Sequence, residues 1–134
     1  MRRYVLAALV LSALAGCQST GKGKKEFDVS QQLAAAGNYA EAIAYLQQAI
    51  AKEPDNKQYA AQLSNMRLKA SQDLLGQAQA MLNAASVDIN AIDKAESLVN
   101  EAKQFSPTLP AIGELEAKIS TSRTALIDEV KEKY

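Results

Sequence analysis

From Phe27 onward the apolar positions recur with a helical period, and the interruptions fall on glycine, asparagine and proline. A short first helix is predicted over 27–36, with Phe27, Leu33 and Ala36 as its apolar marks. Gly37 and Asn38 end it, because both residues tolerate left-handed backbone at a helix terminus. The pattern is clearest over 39–53. There Tyr39, Ala42, Ile43, Leu46, Ala49 and Ile50 share one face of a helix with about 3.6 residues per turn. Pro54 stops this second helix. Two helices separated by so short a break fold back antiparallel.

The third predicted helix is long, 57–84, or about 42 Å at about 1.5 Å per residue. Tyr59, Leu63, Met66, Ala70, Leu74, Ala78 and Met81 trace one apolar stripe; Ala61, Leu68, Leu75 and Leu82 trace a second, spaced by sevens. Two stripes imply partners on more than one side. Gly76 is the weak point of this helix: either a kink or a place where another backbone approaches closely. Residues 85–90 read as a loop. A fourth helix over 91–105 carries Ile92, Ala95, Leu98, Val99, Ala102 and Phe105, with Asp88 or Asn90 as its cap. Ser106-Pro107 ends it. The last helix spans 109–132, with Thr108 as cap and Pro110 in the first turn, where proline is tolerated. Ile112, Leu115, Ile119, Leu126 and Val130 form its expected buried face, and the charged end frays.

The first 16 residues follow a different pattern. Arg2 and Arg3 precede an almost wholly apolar run from Val5 to Leu14, which closes in Ala15 and Gly16. This is the layout of a secretory signal peptide, too short for a comfortable bilayer span. The single cysteine, Cys17, follows directly. It cannot form an internal disulfide. Leu14-Ala15-Gly16-Cys17 resembles the lipobox of bacterial lipoproteins. The resemblance implies cleavage after Gly16, lipidation of the Cys17 thiol and acylation of the new α-amine. One acyl chain holds a protein only marginally, whereas several make attachment effectively permanent. Gln18, not aspartate, follows the cysteine. By resemblance to Gram-negative lipoproteins this favours the outer membrane, facing the periplasm; in a Gram-positive host it implies the outer face of the single membrane. Residues 18–25, QSTGKGKK, read as a polar flexible tether whose lysines rest on anionic headgroups or are simply solvated. The organisation is therefore a leader (1–16), a lipidated cysteine with its tether (17–25) and a helical domain (26–134).

Composition narrows the function. The chain has no histidine and no tryptophan. With a single cysteine as well, a histidine-based triad, a Cys/His zinc site and a haem ligand pair are excluded by inventory, and no cofactor is expected. Fifteen basic side chains balance fifteen acidic ones, and the only basic block is Lys22, Lys24 and Lys25, so nucleic acid is not an expected partner. Paired carboxylates do not suggest an enzyme. Glu114 and Glu116 lie on different helix faces, Asp128 and Glu129 sit near a fraying end, and Asp93 and Glu96 share a face beside Lys94 on an exposed helix.

An internal repeat carries more information. Ala42, Leu46, Ala49 and Pro54 recur as Ala95, Val99, Ala102 and Pro107, each 53 positions on. Small residues recur where helices cross closely, and proline recurs where a helix must stop. The first copy, GNYAEAIAYLQQAIAKEPDN (37–56), resembles the second half of a tetratricopeptide (TPR) repeat through Gly37, Tyr39, Ala42, Leu46, Ala49 and Pro54. The second copy has Asn90 and Ile92 in place of the glycine and tyrosine, and its spacing requires an insertion. The expected fold is all-α: TPR-like antiparallel helical hairpins, about five helices, one long central helix and a C-terminal capping helix. The resemblance implies a peptide-binding groove lined by the first helix of each hairpin. On this chain it projects to Gln31, Gln58, Asn65 and Lys69. Leu68 and Leu75 would add an apolar stripe for a partner helix wherever the last helix leaves them uncovered.

Two readings follow. In the first, the chain is a lipid-anchored module that binds proteins of the cell envelope, similar to TPR lipoproteins of secretion and pilus systems. In the second it is a structural lipoprotein that self-associates into homo-oligomers through Leu68, Leu75 and Leu82.

Overall fold

The computed structural model describes residues 21–84 and 86–134. The leader, Cys17 and residues 18–20 of the expected tether lie outside the described residues. The fold is all-α, with five helices: α1 (Lys24–Ala35), α2 (Tyr39–Lys52), α3 (Lys57–Leu82), α4 (Ile89–Phe105) and α5 (Pro110–Lys133). Each packs on its neighbour in sequence, and α5 also touches α3.

The helix ends follow local chemistry. At the end of α1, Gly37 takes φ +82°, its N–H reaches the Ala34 carbonyl at 3.0 Å, and the Asn38 N–H reaches the Leu33 carbonyl at 2.9 Å. This pair of bonds satisfies carbonyls that a helix end leaves without partners, and it needs a residue without a Cβ penalty. Asn56 caps α3 by accepting from the Gln58 and Tyr59 N–H groups. Asp88, not Asn90, caps α4, accepting from the Ala91 N–H at 2.8 Å, so α4 begins within the stretch expected to be loop. Leu109, not Thr108, occupies the N-cap of α5, with no side-chain cap; Pro110 follows as the first helical residue, where its missing N–H costs nothing.

The start of α1 differs from the expected one. The helix begins at Lys24, and the chain before it is seated on the domain. A Cβ on Gly23 would lie 2.7 Å from the Ala49 carbonyl oxygen and 3.0 Å from the Tyr59 ring, and one on Gly21 would overlap the Glu53 carboxylate. Residues 21–25 of the expected tether therefore belong to the folded domain, because two glycines let the backbone lie flat against α2. Lys52 at the end of α2 pairs with Glu26 at the start of α1 at 2.5 Å, a link between the open ends of the antiparallel hairpin.

The repeat is visible in packing. Ala42, Leu46 and Ala49 of α2 are fully buried, and so are Ala95, Val99 and Ala102 of α4. Both helices end on the same bond, from the Glu53 N–H to the Ala49 carbonyl and from the Ser106 N–H to the Ala102 carbonyl, each 3.0 Å. The shift of 53 also carries the start of α3 onto the start of α5, placing buried Tyr59 on buried Ile112 and buried Met66 on buried Ile119. The first helices of the two hairpins follow a different register. A shift of 48 positions carries Gly23 onto Ser71, Phe27 onto Leu75, Ser30 onto Ala78 and Ala34 onto Leu82. Gly23 meets Ala49, and Ser71 donates to the Ala102 carbonyl at 3.1 Å, so the equivalent positions make equivalent crossings.

Helix α3 thus serves two hairpins. Its first half covers α2 as α5 covers α4, and its second half is the first helix of the second hairpin. Two cores result. Ala42, Ile43, Leu46, Ala49, Tyr59 and Met66 form one, flanked by Phe27, whose ring stacks on Tyr59 with centroids 4.8 Å apart. The larger core joins Leu75, Ala78 and Leu82 to buried residues of α4 and α5. Phe105 of α4 reaches into the first core.

Several expectations about exposed faces are corrected. Leu75 and Leu82 are each 5% exposed, covered by α4 and α5, and of the sevenfold stripe Ala61 and Leu68 reach the surface, Leu68 being 37% exposed. Val130 is exposed at the end of α5, beyond Leu126, which is partly buried against the second core. An added Cβ at Gly76 meets nothing within 4 Å, so no backbone approaches it.

Candidate functional site

The described residues contain a groove between α1 and α3, bordered also by Tyr39 at the start of α2, with a volume of about 560 Å³. Gln31 lines it from α1, Tyr39 from the start of α2, and Asn65, Leu68 and Lys69 from α3. The helical period explains why they meet. Gln62, Asn65, Lys69 and Gln72 follow each other by three or four positions, a polar stripe along the side of α3 that neither core uses. Ala34 and Met66 give the groove an apolar floor.

Four of the six residues projected as partner-binding, Gln31, Asn65, Leu68 and Lys69, are brought together here. The other two are not. Gln58 lies one to two turns earlier on α3, outside the lining, where its N–H serves the Asn56 cap. Leu75 is in the second core. Sequence reasoning missed Gln62, Gln72 and Tyr39. The two glutamines were legible as members of the same stripe; Tyr39 lines the groove only because the tertiary fold brings the start of α2 beside α3.

Gln31, Gln62, Gln72 and Asn65 bring four side-chain amides to the lining. Side-chain amides offer a donor and an acceptor together, which matches the N–H and C=O of an extended main chain. Lys69 adds one cation for a carboxylate, and Leu68 adds apolar surface. On the other side of Tyr39 lies a second concavity of about 330 Å³, flanked by Glu41, Asp73 and Glu101.

Four acidic side chains elsewhere, Glu26, Asp93, Glu96 and Glu116, bridge one helix to another. Arg123 of α5 bridges Asp93 at 3.0 Å and Glu96 at 2.7 Å on α4, and Lys103 pairs with Glu116 at 2.7 Å. Lys118 binds Asn83, tying α5 to the end of α3. The Glu26 carboxyl is held below the usual carboxylate range, first by the hydrogen bond from Lys52 and then by its own backbone N–H, against a smaller opposing effect of burial. Glu129 is lowered by its hydrogen bond from Lys133. Among the described residues no group of three or more histidine, cysteine or acidic side chains is placed to hold a metal ion. No helix among them is long and apolar enough to cross a membrane. No family of known proteins, no curated protein and no solved structure matches the chain.

Proposed function

We propose that this chain is a protein-interaction module of the bacterial cell envelope, anchored to a membrane by lipid on Cys17, that takes an extended protein segment in the α1/α3 groove. The anchor reading rests on the lipobox-like Leu14-Ala15-Gly16-Cys17 after an apolar leader, and Gln18 directs it to the outer membrane. The groove reading is carried by one observation: Gln31, Asn65 and Lys69, selected by their positions on TPR-like hairpins, line a single concavity together with Leu68 of the apolar stripe. Assembly of a secretion or pilus complex is the role that the TPR-like resemblance suggests. Burial of Leu75 and Leu82 weighs against self-association through the sevenfold stripe.

Photo-crosslinking in cells tests the reading. A crosslinker in place of Asn65 or Lys69 is expected to capture one reproducible envelope protein, whereas one at exposed Glu114 on α5 captures none. Capture of a second copy of the chain from the groove would replace this reading with the self-associating lipoprotein. Equal background from all three positions would overturn the groove. Cys17→Ser is expected to release the protein from the membrane fraction; unchanged fractionation would overturn the anchor.

A further inference from the structure

The seating of residues 21–23 changes what an anchor at Cys17 does. An eight-residue tether over 18–25 would let the domain wander by as much as about 32 Å from Cys17 to residue 26, at about 3.5 Å per extended residue. Gly21 lies against Glu53, and Gly23 lies against Ala49 and Tyr59. Only residues 18–20 then separate the anchored cysteine from the folded domain, a reach of about 14 Å from Cys17 to Gly21. This is comparable to the width of one helix with its side chains, about 10–12 Å.

We infer that the domain stands against the bilayer with a fixed end down: the end formed by the start of α1 and the α2–α3 turn, residues 53–56, faces the lipid headgroups. This rests on the anchor reading above. The partner surface is the headgroup layer itself, and what enforces the contact is the short leash. Charge adds little. Lys22, Lys25 and Lys57 are exposed at this end and make no ion pair among the described residues, but Glu53 and Asp55 lie at the same end, while Lys24 pairs with Asp28 and Lys52 with Glu26. The orientation is therefore expected to survive high salt.

The consequence reaches the groove. Gln31 lies eight residues along α1 from Gly23, about 12 Å at about 1.5 Å per residue. Adding the leash places this part of the groove within about 30 Å of the membrane surface. The segment it takes belongs to a protein embedded in or held at the same membrane, close to where that protein leaves the bilayer.

The test uses the full, lipidated protein in vesicles containing a headgroup-linked quencher. With Cys17 acylated, a cysteine introduced as Asp55→Cys or Ser86→Cys is the sole free thiol for a fluorophore. Asp55→Cys at the α2–α3 turn is expected to be quenched several-fold more than Ser86→Cys at the α3–α4 turn, with the ratio kept in high salt. Inserting a long glycine/serine segment between Thr20 and Gly21 is expected to abolish the difference. Intact mass separates the two levels. Protein without the acyl mass overturns the anchor, and the orientation with it. Acylated protein quenched equally at both sites, or unaffected by the insertion, overturns the orientation alone.

Discussion

The two hairpins solve one crossing in two ways. In the first, Gly23 places its backbone directly on the Ala49 carbonyl. In the second, Ser71 stands at the equivalent place and donates a hydrogen bond to the Ala102 carbonyl. The difference follows from what surrounds each. The first crossing is at the start of α1, where the chain enters the domain and only a glycine lets it lie flat. The second is in the middle of α3, where a continuous helix holds the backbone further off and a small hydroxyl fills the space. The hairpins also differ in cover. Helix α1 buries only Ser30 completely, whereas the second half of α3 buries Ser71, Leu75, Ala78 and Leu82 under α4 and α5. An edge helix with little buried apolar surface opens first, so α1 is the element whose loosening would lengthen the leash.

The largest effect expected is at the shared core position. Leu46→Ala should cost about 2–5 kcal/mol in urea unfolding, and more than Val99→Ala at the equivalent place, because fewer atoms are removed there. The reverse order would show that the two cores are not equivalent. Gly23→Val forces a branched side chain onto a main-chain oxygen that cannot rotate away and should cost about 1–3 kcal/mol. Hydrogen exchange should show its loss of protection confined to α1. Ser71→Ala should cost about 0.5–1.5 kcal/mol, because the Ala102 carbonyl keeps its bond from Ser106. Loss of protection spread evenly over all five helices in Gly23→Val would deny that α1 opens separately.

Smaller effects sharpen the contrast. Gly76→Ala, in open space within α3, should stabilise by about 0.8–1 kcal/mol, read as a raised denaturation midpoint. Glu26→Gln tests the ion pair that closes the first hairpin. The carboxyl of Glu26 is lowered in the folded state, so its contribution is fully present above its ordinary value, about pH 4.3, and is lost as pH falls through the folded value. The melting temperature of Glu26→Gln should lie slightly below the parent at neutral pH and converge with it in acid. A constant gap at every pH would mean that the pair plays no part.

Much of the architecture could be read along the chain. The five helical spans, the stop at Gly37, the proline boundaries and the recurrence of Ala42, Leu46 and Ala49 as Ala95, Val99 and Ala102 are local or periodic signals. Local signals narrowed the cap of α4 to Asp88 or Asn90, of which Asp88 serves, and misplaced the cap of α5 by one residue, at Thr108 instead of Leu109. They also misled at Gly21 and Gly23, which read as flexible tether. A glycine in sequence says only that no side chain is present; whether it loosens the chain or lets it pack depends on what lies opposite.

Sequence by itself determined an all-α chain, where its helices begin and end to within a turn or two, and which residues are small enough for helices to cross. Tertiary structure decided which faces are left over. Leu68 and Leu75 stand two turns apart on one helix with the same chemistry, yet one opens on the groove and the other is sealed beneath α4 and α5. Periodicity fixes which residues share a face of a helix. Only the crossing of helices distant in sequence fixes which of those faces meets water.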